Sequence, residues 1–166
     1  MAQSHRARRE RMRRAKDWTA LASCFGLFTV IVSARLGAAQ ETKAGIVKPL
    51  AEVKFDPDDD VKCLHGVVEN GNPETGPSTF LLKASAGCVV KPHYHTAEEQ
   101  LIVVKGDVST GMQGMKDTVL GAGGFAMMPG KVTHWFTCTK ESKDGCLMFV
   151  TFDRKYDIVW VDGEEK

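Results

Sequence analysis

Residues 87–106 constrain the fold of this chain more than any other stretch: Gly87-Cys-Val-Val-Lys-Pro-His93-Tyr-His95-Thr-Ala-Glu-Glu99-Gln-Leu-Ile-Val-Val-Lys-Gly106. Two histidines two residues apart share one face of a strand, because side chains alternate with period two. Glu99 follows after a short polar break and opens a second apolar run, Leu101-Ile-Val-Val104. Folded back as a hairpin, the two strands would aim two imidazoles and one carboxylate at a single point. That is the donor set of a first-row transition metal. A third imidazole is available at His134, inside Phe125-Ala-Met-Met-Pro129-Gly-Lys-Val-Thr-His134-Trp-Phe.

At these residues the chain resembles the cupin superfamily. The superfamily's first motif reads Gly, five residues, His-x-His, three or four residues, Glu, six residues, Gly. Gly87, His93, His95, Glu99 and Gly106 meet every fixed position and every gap. The second reads Gly, five residues, Pro-x-Gly, two residues, His, three residues, Asn. Gly123, Pro129 and His134 fit, whereas Lys131 replaces the glycine and Cys138 the asparagine, with a turn glycine one place early at Gly130. The resemblance covers residues 60–160. It implies an all-β fold, a double-stranded β-helix or jelly-roll barrel, and homodimerisation through sheet edges.

The metal ligands expected from this reading are His93, His95 and His134 through nitrogen and Glu99 through oxygen. Glu98 is the adjacent alternative, but period two puts it on the opposite face, and only Glu99 has the superfamily spacing. Three neutral imidazoles and one carboxylate suit a divalent ion with coordination positions left open, and iron, manganese, nickel or zinc are all acceptable. Burying that set without an ion would leave polar groups unpaired at substantial cost. His5 and His65, standing alone, read as ordinary surface or core histidines.

The N-terminus points to export. Residues 6–16 carry seven basic side chains against Glu10, an apolar run spans Trp18–Ala34, and small residues Gly37-Ala-Ala39 precede Gln40. A basic lead, an apolar stretch and a small-x-small exit describe a helical signal peptide over residues 1–39, cleaved after Ala39 or, as second choice, Ala34. Translation from Met12 would give a more ordinary signal. An uncleaved signal anchor is the rival, because Trp18–Ala34 has the short length of a membrane span; Arg35 and the polar residues within the run favour cleavage. The expected location is therefore periplasmic or secreted, with membrane contact only if the signal is uncleaved.

The leader holds 8 of the 22 Lys and Arg and 2 of the 21 Asp and Glu, which leaves 14 basic and 19 acidic residues and a net charge of −5. No basic stripe for nucleic acid remains. The exported part is one domain's worth of chain, an arm over residues 40–60 followed by a barrel over 61–162. Within the arm, Asp56-Pro-Asp-Asp-Asp60 hints at calcium, but it lacks the glycine and distal glutamate of a calcium loop and reads as a solvated turn. Strands are predicted near 61–68, 78–85, 88–94, 99–105, 108–112, 118–120, 125–128, 132–139, 146–153 and 158–161, with no sustained helical period. Asn70-Gly-Asn-Pro-Glu-Thr-Gly76 is read as a loop, with a place at the barrel mouth as the alternative.

Alternation puts Phe136 and Cys138 on the face of His134, and Tyr94 and Trp135 away from it. Phe136 is then a candidate wall of an apolar pocket, and Lys131 either a contact for a substrate anion or a surface lysine. Four cysteines follow the leader. The favoured pairing joins Cys138 to Cys146 across a hairpin turn and Cys63 to Cys88 if their strands are neighbours; free buried thiols are the alternative. No nucleophile elbow, phosphate loop or dinucleotide fingerprint is present. The reading is an exported metal-binding cupin, with superfamily members of this ligand set including dioxygenases, oxalate-converting enzymes and isomerases. It implies a dioxygenase-like oxidoreductase acting on a small organic acid or phenolic compound. The alternative is a non-catalytic module that binds a small ligand or senses one.

Overall fold

The computed structural model describes residues 44–161. The export segment read over residues 1–39, with His5, lies outside the described residues. Within them, eleven strands are arranged as β1 (Asp56–Pro57), β2 (Leu64–Gly71), β3 (Ser78–Ala84), β4 (Val89–Tyr94), β5 (Glu99–Lys105), β6 (Val108–Met112), β7 (Thr118–Leu120), β8 (Phe125–Met128), β9 (His134–Cys138), β10 (Cys146–Phe152) and β11 (Val159–Trp160). They form two antiparallel sheets, a six-stranded one ordered β1-β2-β3-β10-β5-β8 and a five-stranded one ordered β11-β4-β9-β6-β7. The order is that of a jelly roll, as expected.

Period-two alternation explains why these segments are strands. In β5, Glu99, Leu101 and Val103 are buried while Gln100, Ile102 and Val104 are exposed; in β9, His134, Phe136 and Cys138 are buried and Trp135 and Thr137 less so. The inward residues meet in one core containing Leu101, Val103, Val108, Met128, Phe136, Met148 and Val150. Each large apolar side chain so buried contributes about 1.5–3 kcal/mol relative to exposure.

Three expectations need correction. The strand predicted from Val61, β2, begins at Leu64, because Asp58 Oδ1 accepts hydrogen bonds from the N–H groups of Asp60 (2.9 Å) and Val61 (2.7 Å) and holds 58–61 as a turn. The same strand runs on through Asn70 and Gly71, which pair with Thr79 and Ser78, so the loop after it is shorter than predicted. Finally, β4 and β5 do not form a hairpin. β4 pairs with β9 and β11 in one sheet, and β5 with β10 and β8 in the other. Cross-sheet packing, not a local turn, brings their candidate ligand side chains together.

Both favoured disulfides are present, Cys63–Cys88 and Cys138–Cys146. Neither follows the predicted geometry. β9 and β10 lie in different sheets, as do β2 and β4, so each bridge staples one sheet to the other rather than closing a hairpin or joining paired strands. Their sulfurs sit in the core, with Cys88, Cys138 and Cys146 all buried.

Candidate metal centre

His93 and His134 face each other as register partners on β4 and β9. His95 lies one residue past β4, and Glu99 opens β5 on the opposite sheet. All four side chains are buried, and one ligand atom from each lies within 4.8 Å of all the others. Glu99 Oε2 is 3.0 Å from Nε2 of His95 and 3.0 Å from Nε2 of His134. Glu98, by contrast, is only half-buried and takes its N–H to Asp153 Oδ1 at 3.0 Å, outside the group.

The backbone sets the tautomers. His93 Nδ1–H donates to the Lys91 carbonyl (2.7 Å), His134 Nδ1–H to the Val132 carbonyl (2.9 Å), and His95 Nδ1–H to the carbonyl of Asp157. An imidazole tied this way presents Nε2 as a lone pair, the arrangement seen behind metal-bound histidines. Three such lone pairs and a carboxylate converging on one point call for a cation among them. The donor set therefore fits a divalent transition-metal ion.

Titration behaviour of the metal-free site follows from burial and proximity. Burial works against the charge of Glu99, but hydrogen bonds from His134 and His95 outweigh it and hold its carboxyl down to about 2. Burial likewise disfavours a charged His134, yet the bond to Glu99 and its charge win, and the pKa is raised. His93 is pushed down to about 4, chiefly by burial, despite the bond to the Lys91 carbonyl.

The C-terminal segment clamps the ligand loop. Asp157 accepts hydrogen bonds from Thr96 N–H (2.7 Å, to Oδ1) and Thr96 Oγ1–H (2.5 Å, to Oδ2), on the residue next to His95. β11 pairs Val159 with Tyr94 and Trp160 with His93. The second-motif turn is held from the other side: the Lys131 N–H donates to the His95 carbonyl at 2.7 Å. Lys131 adopts a φ of 65°, so it supplies the left-handed conformation that the missing motif glycine would have supplied. Gly130 is needed for a different reason, since a Cβ there would lie 2.5 Å from the Thr96 carbonyl oxygen.

A cavity of about 300 Å³ opens onto His93, His95 and Glu99. Its walls include Phe80, Phe136, Phe152, Tyr156 and Trp160. Phe136 thus lines the pocket as predicted, and Lys131 is an exposed lysine outside it. Tyr156 and Phe152 pack against the His95 ring at 5.3 and 4.8 Å between centroids, and Trp160 against His93 at 5.3 Å. Burial, helped by the charges of Asp58, Glu99, Asp60 and Asp157, pushes the Tyr156 phenol well above its ordinary range, so it carries its proton.

Sequence reasoning missed Tyr156, Trp160 and Asp157, which lie beyond both motifs in a segment with no pattern of its own. Asp56–Asp60 holds the solvated turn that was read there, with Asp56 and Asp60 exposed, but Asp56, Asp58 and Asp60 also line the cavity, which the sequence did not show. Asn70–Gly76 does not line it; its Pro73 carbonyl instead accepts the Tyr156 N–H at 2.9 Å.

The profile of the ChrR cupin-like domain family matches residues 49–155. This chain belongs to that family. No curated protein is significantly similar to it in sequence. Among solved structures, the polyketide cyclase RemF from Streptomyces resistomycificus is similar with a TM-score of 0.60 and 18% identity, over 72% of this chain and 89% of that one. The DMSP lyase DddQ from Ruegeria pomeroyi DSS-3 has a TM-score of 0.58 and 18% identity, over 69% and 64%. The Rhodobacter sphaeroides complex of SigE with the anti-sigma ChrR has a TM-score of 0.51 and 17% identity, over 63% of this cupin and 51% of the matched chain. At such identities the likeness is one of fold alone.

Proposed function

We propose that this cupin is an exported, metal-dependent enzyme performing dioxygenase-like oxidative chemistry on a small organic molecule. The observation that carries the proposal is the convergence of His93, His95, His134 and Glu99, with every Nδ1–H committed to a backbone carbonyl. A bound iron or manganese ion would supply Lewis acidity and one-electron chemistry there; nickel or zinc would supply Lewis acidity. The chain's own residues do the rest. Phe136, Phe152 and Trp160 exclude water from the metal face of the cavity, and Tyr156 holds a proton beside it. The aromatic lining suits a phenolic compound better than a small acid, because among the described residues no lysine or arginine lines the cavity to meet a carboxylate.

Replacing His95 or Glu99 by Ala tests the centre. About one equivalent of metal is expected in the wild-type protein and almost none in either variant, by mass spectrometry, with the β signature in circular dichroism retained. Full metal content in the variants would overturn the ligand assignment. Iron or manganese in the wild type, with oxygen uptake on phenols, supports the enzyme.

Export is proposed together with the chemistry and is supported by two disulfides, which persist in oxidising compartments. A mature form starting at Gln40 or Arg35 is the expected result of N-terminal sequencing. A homodimer is also proposed, supported by Ile102, Phe125 and Phe149, exposed and adjacent across β5, β8 and β10.

A second reading, a sensory module that binds metal or a small ligand and reports to a partner, is supported by the ChrR of the family's description, which occurs as an anti-sigma in complex with SigE. Metal bound without turnover of any phenol would favour it.

A further inference from the structure

The charge of the cavity lining has a direction. Its floor is the His93, His95 and Glu99 face of the candidate metal centre, and its remaining charged lining residues, among the described residues, are Asp56, Asp58 and Asp60, with no lysine or arginine. A divalent ion held by three neutral imidazoles and one carboxylate leaves the floor with one net positive charge. The aspartates add negative charge at β1 and the turn that follows it. Between the two lies an aromatic wall, in which Phe80, Phe152 and Tyr156 contact one another with centroids 5.0–5.7 Å apart. Trp160 joins the aspartates to this wall, its Nε1–H donating to Asp60 Oδ2 at 3.3 Å.

Lys62 donates to the Asp59 carbonyl, and Arg154 is paired with Asp153. An organic anion entering this cavity would meet three carboxylates and, among the described residues, no lysine or arginine. An ammonium group would meet carboxylates and the faces of electron-rich rings, the combination that recognises organic cations.

We propose that the cavity selects a small organic cation, an ammonium-bearing molecule whose charged end sits against Asp56, Asp58 and Asp60 while its other end faces the metal. This names the substrate class of the proposed site and rests on the reading of the cavity as a binding site. It narrows the small organic acid or phenolic compound expected from sequence to one that carries an ammonium group.

The test uses benzylamine and benzoate, matched in size and opposite in charge, titrated calorimetrically into the chelator-treated protein and into the zinc-loaded protein. The variant is Asp56→Asn/Asp58→Asn/Asp60→Asn. It keeps an oxygen acceptor for the Trp160 N–H and for the 58–61 turn and removes only charge. The metal-free wild type should bind benzylamine about tenfold more tightly than benzoate, and the variant should lose about that tenfold for benzylamine alone. Added salt should weaken the wild-type interaction in the same direction.

Equal benzylamine affinity in variant and wild type would overturn the proposal, as would a metal-free wild type that prefers benzoate. So would a variant altered only in the rate of zinc uptake, which would make the aspartates a funnel for the metal. The metal-free titration does not depend on the metal reading, and counting zinc equivalents in the same samples tests that reading separately.

Discussion

Lys131 shows how a motif can lose its residue and keep its shape. The turn before His134 requires a left-handed backbone, and Lys131 adopts it at a φ of 65° while donating its N–H to the His95 carbonyl. A side chain with a Cβ pays about 1 kcal/mol for that conformation. Lys131→Gly should therefore raise the melting temperature by about 4 °C without changing metal content, and Lys131→Ala should leave both unchanged. A glycine variant that melts lower would mean that the lysine side chain holds the turn. At this scale the site was largely legible. Spacing and alternation separated Glu99 from Glu98 and turned Phe136 inward, because both depend only on neighbours along one strand. The place of Asp58 and Asp60 on the cavity wall was not legible, because a solvated turn and a cavity lining look the same in a run of aspartates.

Strand boundaries followed the sequence closely, with β6, β7 and β8 matching the predicted limits. Strand partners did not. A hairpin between β4 and β5 was the economical reading of two runs joined by a short break, but the chain crosses between sheets there. The same crossing recurs between β9 and β10, and this gives the disulfides their meaning. Cys63–Cys88 and Cys138–Cys146 each tie the two sheets together, with sequence separations of 25 and 8. Loop-closure entropy predicts about 3.5 kcal/mol for the longer loop and about 2.5 kcal/mol for the shorter. Denaturant unfolding of Cys63→Ser/Cys88→Ser and Cys138→Ser/Cys146→Ser should show that order. The reverse order would point to packing around Cys138 and Cys146, rather than chain entropy, as the larger effect.

For the whole molecule, the buried centre couples stability to pH when metal is removed. His93 has a pKa of about 4 in the folded protein against 6.5 for a free histidine, so the unfolded chain takes up its proton first as pH falls. Glu99, held down to about 2 from 4.5, acts in the same direction: its contribution is present above the ordinary value and is lost in acid. His134 has the opposite shift, and its contribution is nearly complete below 6.5. Between pH 6 and 4.5 the metal-free protein should therefore lose about 2 kcal/mol, read by urea unfolding after chelation. Constant stability across that window would show that the imidazoles are solvated rather than buried.

The sequence by itself determined the β class, the four side chains that converge as candidate ligands and the inward face of each strand. Those follow from period-two alternation and fixed motif spacing, which are properties of a few neighbouring residues. Only the tertiary structure decided that Glu99 meets the histidines across two sheets. It also decided that each disulfide joins those sheets, and that Asp56–Asp60, Tyr156 and Trp160 surround one cavity. Strand pairing between distant segments is chosen by how two whole faces pack, and no local pattern in the chain encodes that choice.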